Sequence, residues 1–335
     1  MTNVIVTGSA GFAGSHFVRH ILVNTDWTVT AVISYDHKGH PRRLESAIEG
    51  LDANRVTTIP VDLRKPLATA TGLAMANLEP SYIVNYAAES DVFRSIADPR
   101  PFVENNVELM LTVLDFARTL PSLKAFVQIS TDEVYGACYG EPHKEWSTIL
   151  PSNPYAASKA AQEAIAISYW RTYGVPLVLV NCMNMIGELQ DPEKFVPMVT
   201  AKVLSGDTVP IHADWSGKPG SRHWIHARNL ADGILYLLEH TGISVYGEMD
   251  GVVPMPARWN IVGEEVDNLT MAQMISSALD KPLHYELVDF HTSRPGHDLR
   301  YALDGRKLEL AGWKAPISLD KTIKSIVKWE ALEAA

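Results

Sequence analysis

The chain of 335 residues is 46% hydrophobic and 20% charged, which is the composition of an ordinary globular protein. Its formal net charge of −10 argues against a nucleic-acid-binding surface. No apolar run reaches the roughly 18 residues of a membrane span, and the N-terminus lacks a signal-peptide pattern. We therefore expect a cytoplasmic protein that binds neither nucleic acid nor membrane and forms one large domain or one domain with a smaller lobe.

The cysteines and histidines show no metal-ligand spacing. Cys138 and Cys182 are the two cysteines, and the 12 histidines form no H-x-x-x-H or similar pattern. We expect reduced cysteines that serve packing, and no metal site.

The N-terminal segment has the pattern of a dinucleotide-binding loop. A short apolar run at residues 3–7 is followed by glycines and then by an amphipathic run at residues 15–23. Glycines between a strand and a helix let the backbone turn tightly and approach a pyrophosphate at the positive helix end. Five residues of this turn are therefore predicted to bind cofactor: Gly8, Gly11, Phe12, Ala13 and Gly14. The G-x-x-G-x-x-G spacing resembles the short-chain dehydrogenase branch of dinucleotide binders.

The second predicted strand, at residues 28–33, ends at Ser34. An NAD site usually has an acidic residue there, which holds the adenosine ribose hydroxyls. Ser34 with the nearby Lys38, Arg42 and Arg43 could instead accept the 2′-phosphate of NADP, whereas Asp36 could do the usual work of the acid. NAD and NADP both remain open at this point.

Two further strands are predicted at residues 56–61 and 82–86. The residues that follow the first are placed to contact adenine, and small residues after the second allow close passage of a cofactor. The predicted cofactor contacts are Asp62, Leu63, Ala87, Ala88 and Glu89, and Ser90 is a predicted substrate contact.

The central motif follows a fifth predicted strand, at residues 123–129. In an open α/β sheet the chemistry lies beyond the carboxyl ends of the strands, which is where Thr131, Asp132 and Glu133 fall. Tyr155 and Lys159 open a helical run, and positions i and i+4 share one face of a helix. We expect the Lys159 ammonium to lie beside the Tyr155 phenol and lower its pKa, making Tyr155 a general base.

Strands and helices alternate over the first 180 residues, with long helices predicted at 101–120 and 151–173 and a sixth strand at 176–182. This predicts an α/β fold, a Rossmann-type doubly wound parallel sheet with a smaller C-terminal substrate-binding lobe. We expect a dinucleotide-binding domain over 1–182, to which residues 225–262 return. Residues 183–335 are expected mainly to form the smaller lobe, which closes over the carboxyl ends of the strands.

Six motifs carry a resemblance that runs from residue 3 to about residue 330. They are T-G-S-A-G-F-A-G-S-H (7–16), A-A-E-S-D-V-F-R-S-I (87–96), S-T-D-E-V-Y-G (130–136), S-N-P-Y-A-A-S-K-A (152–160), D-P-E-K-F-V-P (191–197) and R-P-G-H-D-L-R-Y (294–301). With these motifs the chain resembles the nucleoside-diphosphate-hexose 4,6-dehydratases, extended short-chain dehydrogenases/reductases. The resemblance implies a lyase with tightly bound NAD or NADP that is recycled in each turnover, and a homodimer through the two long helices.

The resemblance also implies roles for the central residues. Tyr155 would take the proton of the sugar's carbon 4 hydroxyl, and Thr131 would hydrogen-bond that oxygen. Glu133 would then remove the carbon 5 proton while Asp132 protonates the departing carbon 6 hydroxyl. A pair of carboxyls of which one is ionised and the other protonated suits these two roles. Lys159 would bind the nicotinamide ribose.

Substrate contacts are implied in the C-terminal half. Asn184 would touch the cofactor or the sugar-phosphate, Lys194 the diphosphate, and Arg222 the nucleotide end, where a guanidinium fork suits phosphate. The other implied contacts are Phe195, Pro210, His212, Asn260, Arg294 and His297.

The chain departs from the resembled pattern at Ser34, in a long loop at residues 214–221 and in two further segments. The usual S-N-N-Y-G is replaced by M-N-M-I-G at residues 183–187, and residues 247–258 have the look of an insertion. These changes leave the base and the sugar of the substrate open. The alternatives are a 4-epimerase, a decarboxylase or a dehydratase acting across a different bond, on the same fold. A third possibility is a non-catalytic dinucleotide-binding sensor.

Overall fold

The computed structural model describes residues 2–35, 38–244, 248–250, 253–289 and 298–333. The strands are β1 (Asn3–Thr7), β2 (Thr28–Ile33), β3 (Val56–Pro60), β4 (Tyr82–Asn85), β5 (Ala125–Thr131), β6 (Leu177–Cys182), β7 (Asn184–Ile186), β8 (Val209–Ala213), β9 (Ser221–His226), β10 (Glu248–Asp250), β11 (Val253–Met255), β12 (Ala257–Ile261), β13 (Glu264–Asp267) and β14 (Tyr285–Asp289).

The helices are α1 (Phe12–Asn24), α2 (Pro41–Ile48), α3 (Thr69–Ala76), α4 (Val92–Ala97), α5 (Arg100–Ala117), α6 (Pro154–Tyr173), α7 (Phe195–Ser205), α8 (Ala227–Glu239), α9 (Thr241–Ser244), α10 (Asn268–Leu279), α11 (Arg306–Leu310) and α12 (Leu319–Glu333). Short 3-10 turns lie at Ala53–Arg55 and Asp132–Tyr135. None of the helices in the described segments is long and apolar enough to cross a membrane.

A seven-stranded sheet forms the centre of the molecule. Its order is β12-β6-β5-β4-β1-β2-β3, and all its neighbouring strands run parallel. The chain order reverses between β1 and β4, and ligands of doubly wound sheets bind at such a reversal. The predicted fold class is confirmed.

The two faces of this sheet are covered by different helices, because successive strand residues point to opposite sides. On β1, Val4 and Val6 pack in one core cluster with Phe17 of α1. Ile5 points the other way and packs in a second cluster with Met110 of α5. Both faces are therefore buried, as a parallel sheet requires.

The C-terminal half adds a smaller layer on one side. Strands β13, β9 and β7 form a three-stranded sheet, and β14 pairs with β8. A third core cluster joins α7, α10 and α12 through Val199, Ile275 and Ile326. The edge strand β12 belongs to the main sheet, so the later part of the chain returns to it.

Several element boundaries differ from the sequence prediction. β5 ends at Thr131 rather than at residue 129, so Asp132 and Glu133 begin a 3-10 turn directly on the strand. Helix α6 begins at Pro154, because the Asn153 side chain accepts a hydrogen bond from Ala156 N and caps the helix. The predicted insertion at 247–258 ends inside the main sheet, since β12 starts at residue 257.

Candidate active site

The carboxyl end of β5 brings one hydroxyl and two carboxyls together. The Thr131 hydroxyl donates to Asp132 Oδ1 at 2.9 Å and accepts from Glu133 N at 3.3 Å. Thr131 thus caps the 3-10 turn and fixes both carboxyls at the edge of the sheet. This is the position at which an α/β sheet presents its reactive groups.

Asn153 connects this turn to helix α6. Its Oδ1 caps the helix, while its Nδ2 donates to Glu133 Oε2 at 2.9 Å. One amide therefore orients both the Glu133 carboxylate and the helix that carries Tyr155. Sequence analysis missed this role, although an asparagine directly before a helix-starting proline is a recognisable cap signal.

Burial makes both carboxyls weaker acids than usual. Burial raises the pKa of Asp132 to about 6, and burial together with the Asp132 charge raises the pKa of Glu133 to about 7. Asp132 Oδ2 has no hydrogen-bond partner within the described part of the chain. Near neutral pH the pair can therefore share a proton, with one carboxyl oxygen left to face a ligand.

Tyr155 and Lys159 differ from their predicted arrangement. The Lys159 ammonium donates to Ile129 O and to Gln162 Oε1, both at 2.7 Å, and burial lowers its pKa to about 8. Burial and the Glu133 charge hold the pKa of Tyr155 well above its usual value, against a hydrogen bond with Thr131 that lowers it. The predicted lowering of the phenol's pKa by Lys159 is wrong for this structure, because the ammonium is held on its backbone and amide acceptors.

A network of buried amides holds Lys159 in this position. Gln128 Nε2 donates to Gln162 Oε1 at 3.1 Å, and Gln162 Nε2 donates to Asn106 O at 2.9 Å. Asn85 Nδ2 donates to Gln128 Oε1 at 2.7 Å. All four amide residues are fully buried. We call Asn85, Asn106, Gln128 and Gln162 the amide network; sequence analysis did not identify it.

A cleft lies beside the turn between β1 and α1. The glycines of this turn show whether a dinucleotide fits there. Gly8 has a φ of +66°, and a Cβ there would lie 3.0 Å from Ala87 N. A Cβ on Gly14 would lie 2.3 Å from Gly8 O. Gly11, which has no side chain, precedes Phe12 at the start of α1, so the first helical N–H groups remain accessible. This cradle fits a pyrophosphate.

Most of the predicted cofactor contacts line this cleft. They are Gly8, Gly11, Ser34, Asp62, Leu63, Ala87, Ala88 and Glu89. Phe12, Ala13 and Gly14 form the first turn of α1. The Phe12 ring packs edge-on against His16 at 5.2 Å, so its side chain is engaged within the protein.

The described cations that follow Ser34 are paired with carboxylates. Lys38 and Arg43 lie 3.9 and 2.9 Å from the Asp191 carboxylate, and Arg42 pairs with a carboxylate of α12. Lys38 also lines the cleft. This pairing reduces the positive charge offered to a 2′-phosphate.

Lys194 and Arg222 lie close enough to the carboxyl pair to act on it. The charges of both lower the pKa of Glu133. The Arg222 guanidinium donates to Leu299 O and Asp298 O, both at 2.6 Å, and lies 4.7 Å from the centre of the Tyr301 ring. Arg222 is thus held rigidly next to the proposed reacting groups.

The remaining predicted substrate contacts lie on several different elements. Asn260 is fully buried, and its amide donates to His143 O and Asp304 O, so it joins backbone segments instead of facing the Thr131–Glu133 turn. Phe195 packs against Trp224 at 5.5 Å. Pro210 and His212 lie on the half-buried face of β8, Asn184 begins β7, and Ser90 is exposed after β4. Asp36, Arg294 and His297 lie outside the described residues.

The departures from the resembled motif after β6 are accommodated by packing. Met183 and Ile186 are buried in two different core clusters. Met185 is half-buried and packs against the cluster on the α1 face of the sheet. The lost amide and phenol are therefore replaced by apolar contacts.

One histidine pair meets a glutamate, although the sequence predicted no metal site. The possible ligand atoms of His16, Glu188 and His226 lie within 4.8 Å of one another. Glu188 accepts from His226 at 3.1 Å and from Arg228 at 3.0 Å. These are hydrogen-bond distances, and the adjacent guanidinium opposes a cation. We interpret this group as a cluster that joins α1 to β9.

The doubly wound sheet and its glycine-lined cleft define a dinucleotide-binding protein of the Rossmann type. The sequence profile of the NAD dependent epimerase/dehydratase family matches residues 4–247. The chain belongs to this family.

Known relatives include both dehydratases and epimerases. The chain is 35% identical to a probable dTDP-glucose 4,6-dehydratase of Sinorhizobium fredii, over 97% of this chain and 92% of the relative. The solved dTDP-glucose 4,6-dehydratase of Streptomyces venezuelae, with NAD bound, is 30% identical, has a TM-score of 0.83 and covers 99% of this chain and 97% of its own. A UDP-glucose 4-epimerase of Thermus thermophilus in complex with NAD is 25% identical, with a TM-score of 0.82 and coverages of 98% and 99%. The predicted family is confirmed.

Proposed function

We propose that this chain is a nucleoside-diphosphate-hexose 4,6-dehydratase, a hydro-lyase that forms a 4-keto-6-deoxy sugar nucleotide. The observation that carries the proposal is the pair of the buried Asp132 and the half-buried Glu133 at the end of β5, with raised pKa values, next to Tyr155. A reaction that only moves hydride at carbon 4 has no use for a second proton-transfer pair. The similarity to dehydratases over nearly the full chain supports the same reaction.

The first half of the reaction involves Tyr155 and Thr131. The cleft lined by Gly8, Gly11 and Ala87 would hold the nicotinamide dinucleotide, which would supply the redox chemistry of the reaction, uptake of hydride from carbon 4 and its return to carbon 6. Tyr155 takes the proton of the carbon 4 hydroxyl, and Thr131 hydrogen-bonds that oxygen. Because the pKa of Tyr155 is held above its usual value, its phenol is protonated in the free chain and must lose that proton before it can act as the base.

The carboxyl pair performs the elimination. A ketone at carbon 4 acidifies carbon 5; Glu133 removes that proton, and the electron pair of the C–H bond forms the carbon 5–carbon 6 double bond. The C–O bond at carbon 6 breaks, and Asp132 gives its proton to the departing oxygen, releasing water. The pair needs one proton for this step. Because Glu133 has the higher pKa, that proton must lie on Asp132 in the substrate complex for these roles. Glu133 then returns its proton to carbon 5 as hydride reaches carbon 6.

We propose NAD as the resident dinucleotide. Lys38 and Arg43 are neutralised by Asp191, and Arg64 pairs with Asp62 at 2.7 Å, so the cations of the cleft are engaged. Solved relatives carry NAD. Mass spectrometry of the dinucleotide released on denaturing the purified protein tests this choice directly; NADP would overturn it.

The diphosphate end of the substrate is proposed to lie near Lys194 and Arg222. The charges of both cations lower the pKa of Glu133, so both lie near the carboxyl pair. A guanidinium already anchored by backbone carbonyls binds phosphate oxygens with little loss of side-chain freedom.

We also propose a homodimer through α5 and α6 and a cytoplasmic location. The two helices pack on each other, and Val103 and Leu111 are exposed apolar residues on α5. Cys138 and Cys182 are both free thiols, compatible with a reducing compartment. Light scattering tests the dimer: the mass of a single chain would overturn it.

The decisive experiment is mass spectrometry of the purified protein incubated with dTDP-, UDP-, GDP- and CDP-hexoses, without added cofactor. Loss of the mass of one water from one substrate supports the dehydratase and identifies its nucleotide. Unchanged mass with inversion at carbon 4 would favour the 4-epimerase. Bound dinucleotide with neither change would favour the non-catalytic sensor.

A further inference from the structure

A second cavity, of about 500 Å³, lies apart from the cofactor cleft. Its walls come from β9, the segment between β12 and β13, helix α8 and the C-terminal segment 303–322. None of Thr131, Asp132, Glu133, Tyr155 or Lys159 lines it. Its volume falls within the roughly 300–1,000 Å³ typical of small-molecule sites.

Three deeply buried side chains of this cavity have oxygen atoms without partners. Asn229, Asn260 and Thr322 are 4%, 0% and 2% exposed. Asn229 Oδ1, Asn260 Oδ1 and Thr322 Oγ1 have no hydrogen-bond partner among the described residues. Buried polar atoms are nearly always paired, so three in the lining of one cavity point to a partner that the described residues do not supply.

The two amide oxygens are fixed in direction. Asn229 Nδ2 donates to Ile317 O at 2.7 Å, and Asn260 Nδ2 donates to two backbone carbonyls, both at 3.1 Å. Each amide nitrogen is therefore committed, and each oxygen is left as a preorganised acceptor. A ligand must bring hydroxyl or N–H donors to these oxygens, while the Thr322 hydroxyl can both donate and accept.

Two tryptophans give the cavity apolar walls. Trp224 and Trp313 line it, and their indole N–H groups are engaged elsewhere, with Val266 O at 3.2 Å and Asp232 Oδ1 at 2.7 Å. They offer ring surface, not donors. Rigid aromatic surface beside fixed acceptors suits a compact ligand with both C–H and O–H faces.

The charges of the cavity exclude an anionic ligand. Lys314 is opposed by three lining carboxylates, Glu141, Glu264 and Glu309. The lining residue Arg306 is neutralised by Asp304 at a bidentate contact. No surplus of cations remains for a phosphate or carboxylate. An ammonium would satisfy the two amide oxygens but could not accept a hydrogen bond from Thr322, whereas a hydroxyl does both.

We propose that this cavity binds an uncharged, polyhydroxylated small molecule of monosaccharide or cyclitol size. The site goes beyond the dehydratase reaction and does not depend on it. The cavity adjoins the proposed active site through β9. His223 of this strand lines the cavity, while the charge of its neighbour Arg222 lowers the pKa of Glu133. Adjacent strand residues point to opposite sides, so β9 separates the two sites.

Saturation-transfer NMR with D-glucose and with myo-inositol tests the site in the full chain. We expect saturable binding of at least one probe at concentrations up to about 10 mM, well above a millimolar Kd. Thr322→Val should weaken binding about tenfold, the effect of one lost hydrogen bond. It should fold normally, because the hydroxyl that it removes has no partner among the described residues. Ala315→Trp, at an exposed lining residue, should block entry.

The matched control is Thr200→Val, a buried helix threonine outside the cavity whose hydroxyl donates to Val196 O. Weakening in either cavity variant, with Thr200→Val at wild-type strength, supports the proposal. No saturable signal from either probe would overturn it. Binding that both cavity variants leave unchanged would overturn it too, because the probe would then occupy another site.

Discussion

Two groups of buried polar side chains adjoin each other along β5, and their hydrogen bonding is very different. In the amide network every side-chain amide is bonded, and Lys159 joins it through Gln162. At the strand's carboxyl end, Ser130 Oγ and Asp132 Oδ2 have no partner within the described residues. A satisfied network specifies one geometry, whereas unsatisfied groups are available to a ligand. The first group therefore positions the site and the second performs its chemistry.

The largest effect is expected for Asp132→Asn, which removes the proposed acid. Formation of the dehydrated product should fall about a hundred- to ten-thousandfold, the usual contribution of general acid catalysis. Hydride uptake from carbon 4 should persist, because Tyr155 is intact. Product is measured by mass spectrometry and hydride uptake by the absorbance of reduced nicotinamide, with the exposed Asp207→Asn as control. Undiminished water elimination would exclude Asp132 as the acid.

Gln162→Leu should destabilise the fold strongly. It leaves Lys159 Nζ, Gln128 Nε2 and Asn106 O each short of one partner, and each loss in a buried setting costs about 1–3 kcal/mol. We expect the free energy of unfolding to fall by about 4 kcal/mol in urea denaturation. Gln273→Leu, at an exposed position of α10, should change it by less than about 0.5 kcal/mol. Equal stabilities for the two variants would contradict the positioning role.

The sequence predicts one of these two groups and misses the other for a physical reason. Thr131, Asp132 and Glu133 are consecutive, so a strand that ends beside them is enough to locate them. The amide network joins residues of β4, β5, α5 and α6, and no local spacing connects them. Alternation of strands and helices likewise predicts the main sheet, because each strand's apolar run is a local signal.

Lys159 shows what helical spacing cannot predict. Helical spacing places it on the face of Tyr155, but spacing does not select its partner among the acceptors on that face. Ile129 O and Gln162 Oε1 bind the ammonium, and Gln162 stands one turn further along α6. Asn260 is a similar case: the resemblance implies a substrate contact, but its amide nitrogen donates to carbonyls of two distant segments.

Glu133→Gln should raise stability at neutral and alkaline pH. The pKa of Glu133 is about 7 in the folded chain against a usual 4.5, so the unfolded chain ionises first as pH rises. The carboxyl therefore lowers the free energy of unfolding progressively between pH 4.5 and pH 7, and fully above that. At about 1.4 kcal/mol per pKa unit, and with some solvent contact, we expect a gain of about 2 kcal/mol above pH 7.

The control for this prediction is the pH dependence itself. The variant and the wild type should differ little below pH 4.5, where the carboxyl is protonated in both states. Thermal unfolding at a series of pH values measures the difference. A gain of the same size at every pH would point to packing instead of charge.

Two serine substitutions compare a side chain bonded to the amide network with one at the carboxyl end of β5. Ser158 accepts from Asn106 Nδ2 and donates to Tyr155 O, both at 2.7 Å, whereas Ser130 Oγ has no partner among the described residues. Both side chains are almost fully buried, at 1% and 3% exposure. Ser158→Ala should therefore lower the free energy of unfolding by about 1–2 kcal/mol, since it leaves a buried amide unpaired.

Ser130→Ala should leave stability unchanged or raise it by up to about 1 kcal/mol, because it removes a buried hydroxyl that has no hydrogen-bond partner in the described segments. Urea denaturation of the two variants under identical conditions measures the difference. If Ser130→Ala proves as destabilising as Ser158→Ala, the cluster at the end of β5 is as fully bonded as the amide network, and the division between positioning and reacting groups does not hold. If Ser130→Ala keeps its stability while its KM for the sugar nucleotide rises, the Ser130 hydroxyl contacts the ligand. A hydroxyl without a partner among the described residues is available to bond the substrate.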